Sequence, residues 1–114
     1  MNTEAAPAGP FPYKGAAELQ KEIVSALQQV VDPEVALSVV DLGLIYGVEI
    51  GDKTARVTMT MTSAACPVAD VIMDDVEAEL ERVLQVGCRI AVDLVWEPAW
   101  TPEMMSQSAR RFMG

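Results

Sequence analysis

The chain has 114 residues, of which 51% are hydrophobic, and this length and composition predict one folded domain with a single core. It carries 17 acidic and 8 basic residues, and the resulting formal net charge of −9 disfavours binding to nucleic acid or anionic lipid. The sequence has neither an apolar run long enough to span a membrane nor the basic and apolar regions of a secretory signal. We therefore predict a cytoplasmic protein without nucleic-acid or membrane partners.

The first half of the chain predicts a tail, a helix and a hairpin. Residues 1–12 lack a periodic apolar pattern and are predicted to form a flexible tail before a single domain over residues 13–114. Apolar residues three and four apart predict an amphipathic helix over residues 16–31, which Asp32-Pro33 ends. After a loop, two predicted strands follow, joined by a short turn that contains glycine and aspartate: residues 44–50 and 55–62.

The second half of the chain alternates helix, strand and helix. From Val68 onward, apolar residues every four positions among many acids predict a second helix, with Pro67 in its first position and Cys66 as its N-cap. Residues 89–96 alternate as a third strand, and residues 101–113 predict a short last helix. The order α-β-β-α-β-α predicts an α+β fold, a two-layer sandwich with a small mixed three-stranded sheet packed on helices.

This order also predicts which loops lie together. The second strand, second helix and third strand form a β-α-β unit with parallel strands, so Trp96 returns to the end of the sheet where Cys66 lies. The antiparallel hairpin brings Asp41-Leu42-Gly43 to the same end. Cys88 lies at the far end of the second helix, on the order of 25 Å from Cys66 at a rise of about 1.5 Å per residue.

The two thiols and the absence of histidine restrict the chemistry. Without histidine, Ser–His and Cys–His catalysis within the chain is excluded. Two separated cysteines cannot fill the four-cysteine shell of a closed zinc or iron–sulfur site, so a complete site would need another chain, small thiols or oxygen ligands. The missing Cys-x-x-Cys motif also argues against thiol redox catalysis.

Cys66 is the candidate functional thiol and metal ligand. At a helix N-terminus, free N–H groups and the helix dipole favour a thiolate, although the neighbouring Asp70 opposes it. The alternative is a partly buried cysteine that only fills space.

Seven further residues are candidates for supporting roles at this end of the sheet: Asp32, Glu34, Asp41, Thr60, Thr62, Trp96 and Trp100. The three acids offer oxygen ligands or partner contacts, but acids beside proline or glycine also cap turns. The two threonines are predicted on one polar face of their strand, where they either hydrogen-bond a ligand or only favour the strand. The two tryptophans are suited to cover a labile metal–thiolate site, but Trp96 is also suited to the core.

Four motifs in order closely resemble the iron–sulfur cluster assembly family that includes SufT and the PaaD subunit. The motifs are Asp32-Pro33-Glu34, residues 40–46, residues 59–62 followed by Cys66-Pro67, and residues 96–101. The resemblance covers residues 19–114, and the same domain is shared with a eukaryotic cytosolic iron–sulfur targeting factor. Ala99 stands where the family often has a second proline. The chain lacks the extra C-terminal cysteines of PaaD-like members and is closer to the SufT side.

The resemblance implies a non-catalytic role in iron–sulfur cluster maturation. The family's motif cysteine matches Cys66, which would hold a cluster, or iron, transiently and transfer it to apo-protein acceptors together with the assembly machinery. One thiolate per chain suits a labile cluster, and a homodimer that shares one is a further option. The alternative is an adaptor that recruits apo-targets without binding metal. In either case, no cofactor is expected to be required for folding.

Overall fold

The helices and strands follow the hydrophobic periodicity of the sequence, although several begin or end elsewhere than predicted. The computed structural model describes residues 10–63 and 67–113. In chain order these residues form β1 (Tyr13–Lys14), α1 (Ala17–Gln28), β2 (Val31–Asp32), β3 (Leu37–Ser38), β4 (Ile45–Gly51), β5 (Thr54–Met59), α2 (Ala69–Val83), β6 (Arg89–Leu94), a 3₁₀ helix (Pro102–Met104) and α3 (Gln107–Met113).

The main sheet has four strands in the order β1-β4-β5-β6. The antiparallel β4–β5 hairpin and the parallel β5–β6 pair are confirmed, and α2 forms the crossover between the parallel strands. The prediction of three strands in this sheet is wrong, because the structure has a fourth strand, β1, which pairs parallel to β4. A second correction is the antiparallel β2–β3 pair, which lies partly in the predicted loop. Two-residue strands are too short to produce an alternating pattern.

The first helix ends three residues earlier than predicted, and Pro33 is not its terminator. The amides of Gln29 and Val30 bond three residues back, to Ala26 and Leu27, which tightens the last turn. The carbonyl oxygen of Val30 then accepts a hydrogen bond from the amide of Val39 at 2.9 Å. The chain therefore leaves the helix to form the β2–β3 pair before it reaches the proline.

The second helix begins at Ala69 with Val68 as its N-cap, so the prediction that Cys66 is the N-cap is wrong. Pro67 and Val68 instead form a turn before the helix. The strand before it, β5, ends at Met59 rather than at residue 62. The predicted last helix is divided into the 3₁₀ helix and α3, because the chain between them is extended at Met105.

The core lies between the main sheet and the two long helices. Residues at three- and four-residue spacing on α1 and α2 pack against alternate residues of β4 and β5. The side chains with at most 1% exposure include Ile23, Leu27, Val48, Val57, Met59, Ile72, Val76 and Leu80. Phe11, within the predicted tail, is buried in the same core, whereas residues 1–9 lie outside the described part of the chain. Among the described helices, none is long and apolar enough to cross a membrane.

Gly43 permits the closest approach of two distant segments. Its φ is +78°, and a Cβ atom there would collide with the backbone of Met104. Gly87 has a similar φ of +90°, but a Cβ atom there would have no neighbour within 4 Å. Alanine at either position would have to adopt a strained left-handed backbone conformation. Only at residue 43 would its Cβ atom also collide with another segment.

We expect Gly87→Ala to lower the free energy of unfolding by about 1 kcal/mol, and Gly43→Ala by about 2–4 kcal/mol. Urea unfolding of both variants measures the difference, and Gly87→Ala serves as the matched control. Equal losses would show that the backbone near Met104 moves aside without cost.

Candidate functional site

After β6, the C-terminal segment (residues 96–109) folds back over the 41–46 segment. The Trp100 indole Nε1 donates a hydrogen bond to the carbonyl oxygen of Leu42 at 2.7 Å. The Tyr46 hydroxyl donates to the carbonyl oxygen of Pro98 at 2.6 Å, with the sulfur of Met104 at 3.6 Å. Trp100 is half-buried and packs against the core. The predicted convergence of Asp41-Leu42-Gly43 with the loop after the third strand is therefore confirmed. The third loop of that prediction, which contains Cys66, lies outside the described residues.

Asp41 binds the start of the last helix. Its carbonyl oxygen accepts a hydrogen bond from the Ser106 amide at 2.8 Å, and its Oδ1 accepts one from the Ser106 hydroxyl at 3.2 Å. The same hydroxyl accepts a hydrogen bond from the amide of Ala109 at 3.1 Å, which makes Ser106 the N-cap of α3. The Asp41 amide donates to Ser38 Oγ at 3.0 Å. Asp41 thus already has a structural role, which adds to its predicted role as an oxygen ligand or partner contact.

Thr60 is buried, and its predicted place on an exposed polar face beside Thr62 is wrong. Because β5 ends at Met59, the alternation stops there: Thr60 is 0% exposed, whereas Thr62 is exposed. The Thr60 amide donates to the carbonyl oxygen of Leu44 at 2.9 Å. Its hydroxyl lies near the Tyr46 phenol, but it makes no hydrogen bond of good geometry with that group or with any other in residues 10–63 and 67–113. A buried hydroxyl without a partner lowers stability by roughly 1–3 kcal/mol.

The Tyr46 hydroxyl lies between two polar neighbours and remains protonated near neutral pH. Burial raises the pKa of Tyr46, the nearby Thr60 hydroxyl lowers this pKa, and the Glu97 carboxylate raises it; the net direction is upward. A protonated Tyr46 keeps its hydrogen-bond donor for Pro98. The phenol therefore connects β4 to the C-terminal segment throughout the physiological pH range.

Asp32, the last residue of β2, and Glu34 belong to a separate turn that connects β2 to β3. Asp32 is 4% exposed; its Oδ1 accepts the Glu34 amide at 2.9 Å, and its carbonyl oxygen accepts the Ala36 amide at 2.8 Å. Asp32 therefore shapes a turn, the alternative that its place beside Pro33 allowed. Glu34 is exposed. No hydrogen bond within the described ranges joins either acid to Asp41.

The remaining predicted site residues lie in different surroundings. Trp96 is 44% exposed and contributes less to the core than predicted. Cys66, the candidate thiol, lies outside the described residues. Cys88 is half-buried beside the β4–β5 turn, with Gly51 and Lys53, at the end of the sheet opposite the 41–46 segment, as predicted. In the described part of the chain, no group of three or more cysteine and carboxylate side chains is placed to bind a metal ion.

Two residues of this network were not singled out from the sequence. Tyr46 lies within the motif of residues 40–46, but alternation alone assigned it to the strand and gave no partner for its hydroxyl. Ser106 had the usual helix-cap signal, a serine directly before helical residues, but the predicted helix began earlier and concealed it. The contacts of both residues are with segments 52 and 65 positions away, which no local pattern encodes.

The family comparison agrees with these motifs. Residues 20–92 match the model of a family described as iron–sulfur cluster assembly protein. The chain belongs to this family. An Fe–S protein maturation auxiliary factor of Porphyromonas gingivalis is 43% identical over 98 residues, which cover 85% of this chain and 92% of the relative. The Fe–S protein maturation auxiliary factor SufT of Staphylococcus aureus is 38% identical over 86 residues, covering 75% of this chain and 97% of that protein.

A solved structure supports the fold of the family. The crystal structure of a domain of unknown function, DUF59, from Bacillus anthracis has a TM-score of 0.77 and 36% identity to this chain. The match covers 85% of this chain and 92% of the other. The mixed sheet with helices described above is therefore the fold that this member shares with its relative.

We expect Thr60→Val to raise the free energy of unfolding by about 1 kcal/mol, because it removes a buried hydroxyl without a partner at similar side-chain volume. Thr58→Val, at a half-buried position of β5, is the control and should change stability by less than about 0.5 kcal/mol. Urea unfolding measures both. A destabilised Thr60→Val protein would show that the hydroxyl has a partner.

We expect Tyr46→Phe to reduce the loss of stability at high pH. A raised pKa means that folding favours the protonated phenol, so this stabilisation is complete below pH about 10 and is lost as the pH rises through the folded-state pKa. Urea unfolding at pH values of about 9 and 11 should show a smaller decline for Tyr46→Phe than for the wild-type protein. Equal declines would contradict the direction of the shift.

Proposed function

We propose that this protein holds an iron–sulfur cluster, or iron, as transient cargo on Cys66 and transfers it to apo-protein acceptors without catalysing a reaction. Its family membership and its similarity to two Fe–S protein maturation auxiliary factors support a role in iron–sulfur protein maturation. Through that role it would contact the assembly machinery. Cys66 as the cargo ligand is the specific part of the proposal.

The observation that carries the proposal is the meeting of separate motifs at one end of the sheet. The 41–46 segment and the C-terminal segment are joined there by the hydrogen bonds of Trp100 and Tyr46. Thr60, directly after β5, bonds to Leu44 in the same region, and Cys66 follows six residues later in the sequence. The second thiol, Cys88, lies at the opposite end. This separation favours a site with one thiolate per chain.

A single thiolate suits cargo that must be released. Iron–sulfur clusters are commonly held by four thiolates, so a cluster on one chain needs ligands from a second chain, small thiols or oxygen atoms. Such mixed ligands are exchanged more easily than a closed protein site, and a shared cluster would bring two chains together. The helix α2 begins at Ala69, three residues after Cys66 in the sequence, so the proposal does not rest on an N-cap position for this thiol.

The fold has its own source of stability, independent of the cargo. Apolar side chains of both long helices and of β4 and β5 form one continuous core. In small metal-dependent domains, by contrast, the free energy of metal binding is the free energy of folding. The metal-free protein should therefore be folded and suited to cycles of loading and release.

We expect Cys66→Ala to abolish the binding of iron and sulfide, with little change in the thermal unfolding of the metal-free protein. Cys88→Ala is the matched control and should retain wild-type binding. Anaerobic reconstitution followed by iron and sulfide analysis and visible absorbance measures the cargo, and light scattering before and after loading measures association. Of the two variants, only Cys66→Ala should fail to complement cells that lack the protein.

Three results would contradict the proposal. Wild-type protein that binds neither iron nor sulfide but still supports maturation in cells would favour an adaptor that recruits apo-targets. Full activity of Cys66→Ala would favour the same adaptor. An equal loss of cargo in the Cys88→Ala variant would show that the second thiol is a ligand.

A further inference from the structure

The outer edge of β6 has no strand partner within residues 10–63 and 67–113. The amide of Arg89 donates to Lys53 at 2.9 Å, and the amide of Val95 donates to Met59 at 2.8 Å. In a parallel pair of strands, every second residue directs both its N–H and its C=O toward the neighbouring strand. The backbone groups of the odd-numbered residues of β6 therefore face β5. The backbone groups of Ile90, Val92 and Leu94 consequently face outward. This row of donors and acceptors is a template for another strand.

The side chains at this edge are apolar and incompletely covered. Ile90, Val92 and Leu94 pack on the core from the edge of the sheet, but each remains partly exposed. The strand contains no proline, and its charged residues, Arg89 and Asp93, lie at odd-numbered positions on the other face. An added strand whose core-side face carries long side chains with apolar stems would complete this cover.

A stripe of acids on α2 runs beside the same edge. Asp70, Asp74, Glu77 and Glu81 follow the spacing of four, three and four residues that places them on one flank of the helix. The opposite flank faces α1, since Glu79, Arg82 and Val83 line a groove with residues of that helix. Because α2 contacts both α1 and β6, we infer that the stripe, on the flank away from α1, lies on the side of β6. The two salt bridges of the described residues do not involve the stripe.

We propose that the β6 edge binds an extended, positively charged peptide segment of another protein as an added strand. Backbone hydrogen bonds to Ile90, Val92 and Leu94 would provide affinity, and lysine or arginine side chains near the α2 stripe would provide selectivity. The segment would carry its basic residues at the alternate positions that face the helix layer, because α2 and the side chains of Ile90, Val92 and Leu94 lie on the same face of the sheet. The aliphatic stems of lysine or arginine would cover these partly exposed side chains, and the charged ends would reach the acids. This inference does not depend on cargo binding by Cys66.

The charge pattern argues against a second copy of this chain as the occupant. Pairing two β6 edges would place the α2 helices of both copies on the same face of a continuous sheet. Each α2 carries six acids and one arginine, and each chain has a formal net charge of −9. Like charges brought together in this way oppose association, whereas a basic segment is attracted.

Amide hydrogen exchange of the metal-free protein tests the proposal directly. The probe is a ten-residue peptide that alternates valine and lysine, and the control is the same peptide with glutamate in place of lysine. We expect the lysine peptide to slow exchange at Ile90, Val92 and Leu94, and the glutamate peptide to have no effect. Binding without protection of these amides, or protection that rises with protein concentration in the absence of peptide, would overturn the proposal.

A pair of matched variants tests the role of the acidic stripe. Glu77→Gln/Glu81→Gln removes two charges from the stripe, and Asp75→Asn/Glu22→Gln removes two exposed charges elsewhere on α1 and α2. Because each exposed ion pair contributes modestly, the first variant should weaken binding of the lysine peptide by about three- to tenfold. The second should change it by less than about twofold. Equal weakening would show that only net charge matters and would overturn the assignment to this edge.

Discussion

The indole of Trp100 donates a hydrogen bond to the carbonyl oxygen of Leu42 and so joins segments 58 residues apart. The two segments come close together because Gly43 has no side chain that would collide with the backbone of Met104. Ser106 adds two hydrogen bonds to Asp41. Together these bonds fix the C-terminal segment on the 41–46 segment. The position of the C-terminal motif at this end of the sheet depends on that attachment.

The polar residues of the family motifs divide into two groups by what the fold requires of them. Asp32 and Asp41 have structural partners in a turn and at a helix cap, so the fold alone accounts for their residue types. Thr60 is different, because its hydroxyl is fully buried and makes no hydrogen bond of good geometry in the part of the chain that is described. Such a group lowers stability. A role at the functional site is a reason to keep it, and the family motif contains it.

The sequence predicts the larger elements because hydrophobic periodicity is local. The α1 and α2 stripes, the β4–β5 hairpin and the parallel β5–β6 pair follow from spacing and topology, and these place the motifs of residues 40–46 and 96–101 at one end. The strands β1, β2 and β3 could not be predicted, since two-residue strands form only through partners elsewhere in the chain. The burial of Thr60 was missed for a similar reason: alternation gives no sign that β5 ends at Met59 and that the Thr60 amide then bonds to Leu44.

Transfer of cargo to an acceptor tests the central claim most directly. The loaded wild-type protein is mixed anaerobically with an apo-acceptor of known cluster type, the two proteins are separated, and iron and sulfide are measured in each. If Cys66 holds the cargo as one labile thiolate, the acceptor should gain its cluster spectrum while this protein loses a matching amount of iron and sulfide. Iron and sulfide that remain with this protein, while the acceptor stays empty, would contradict a carrier.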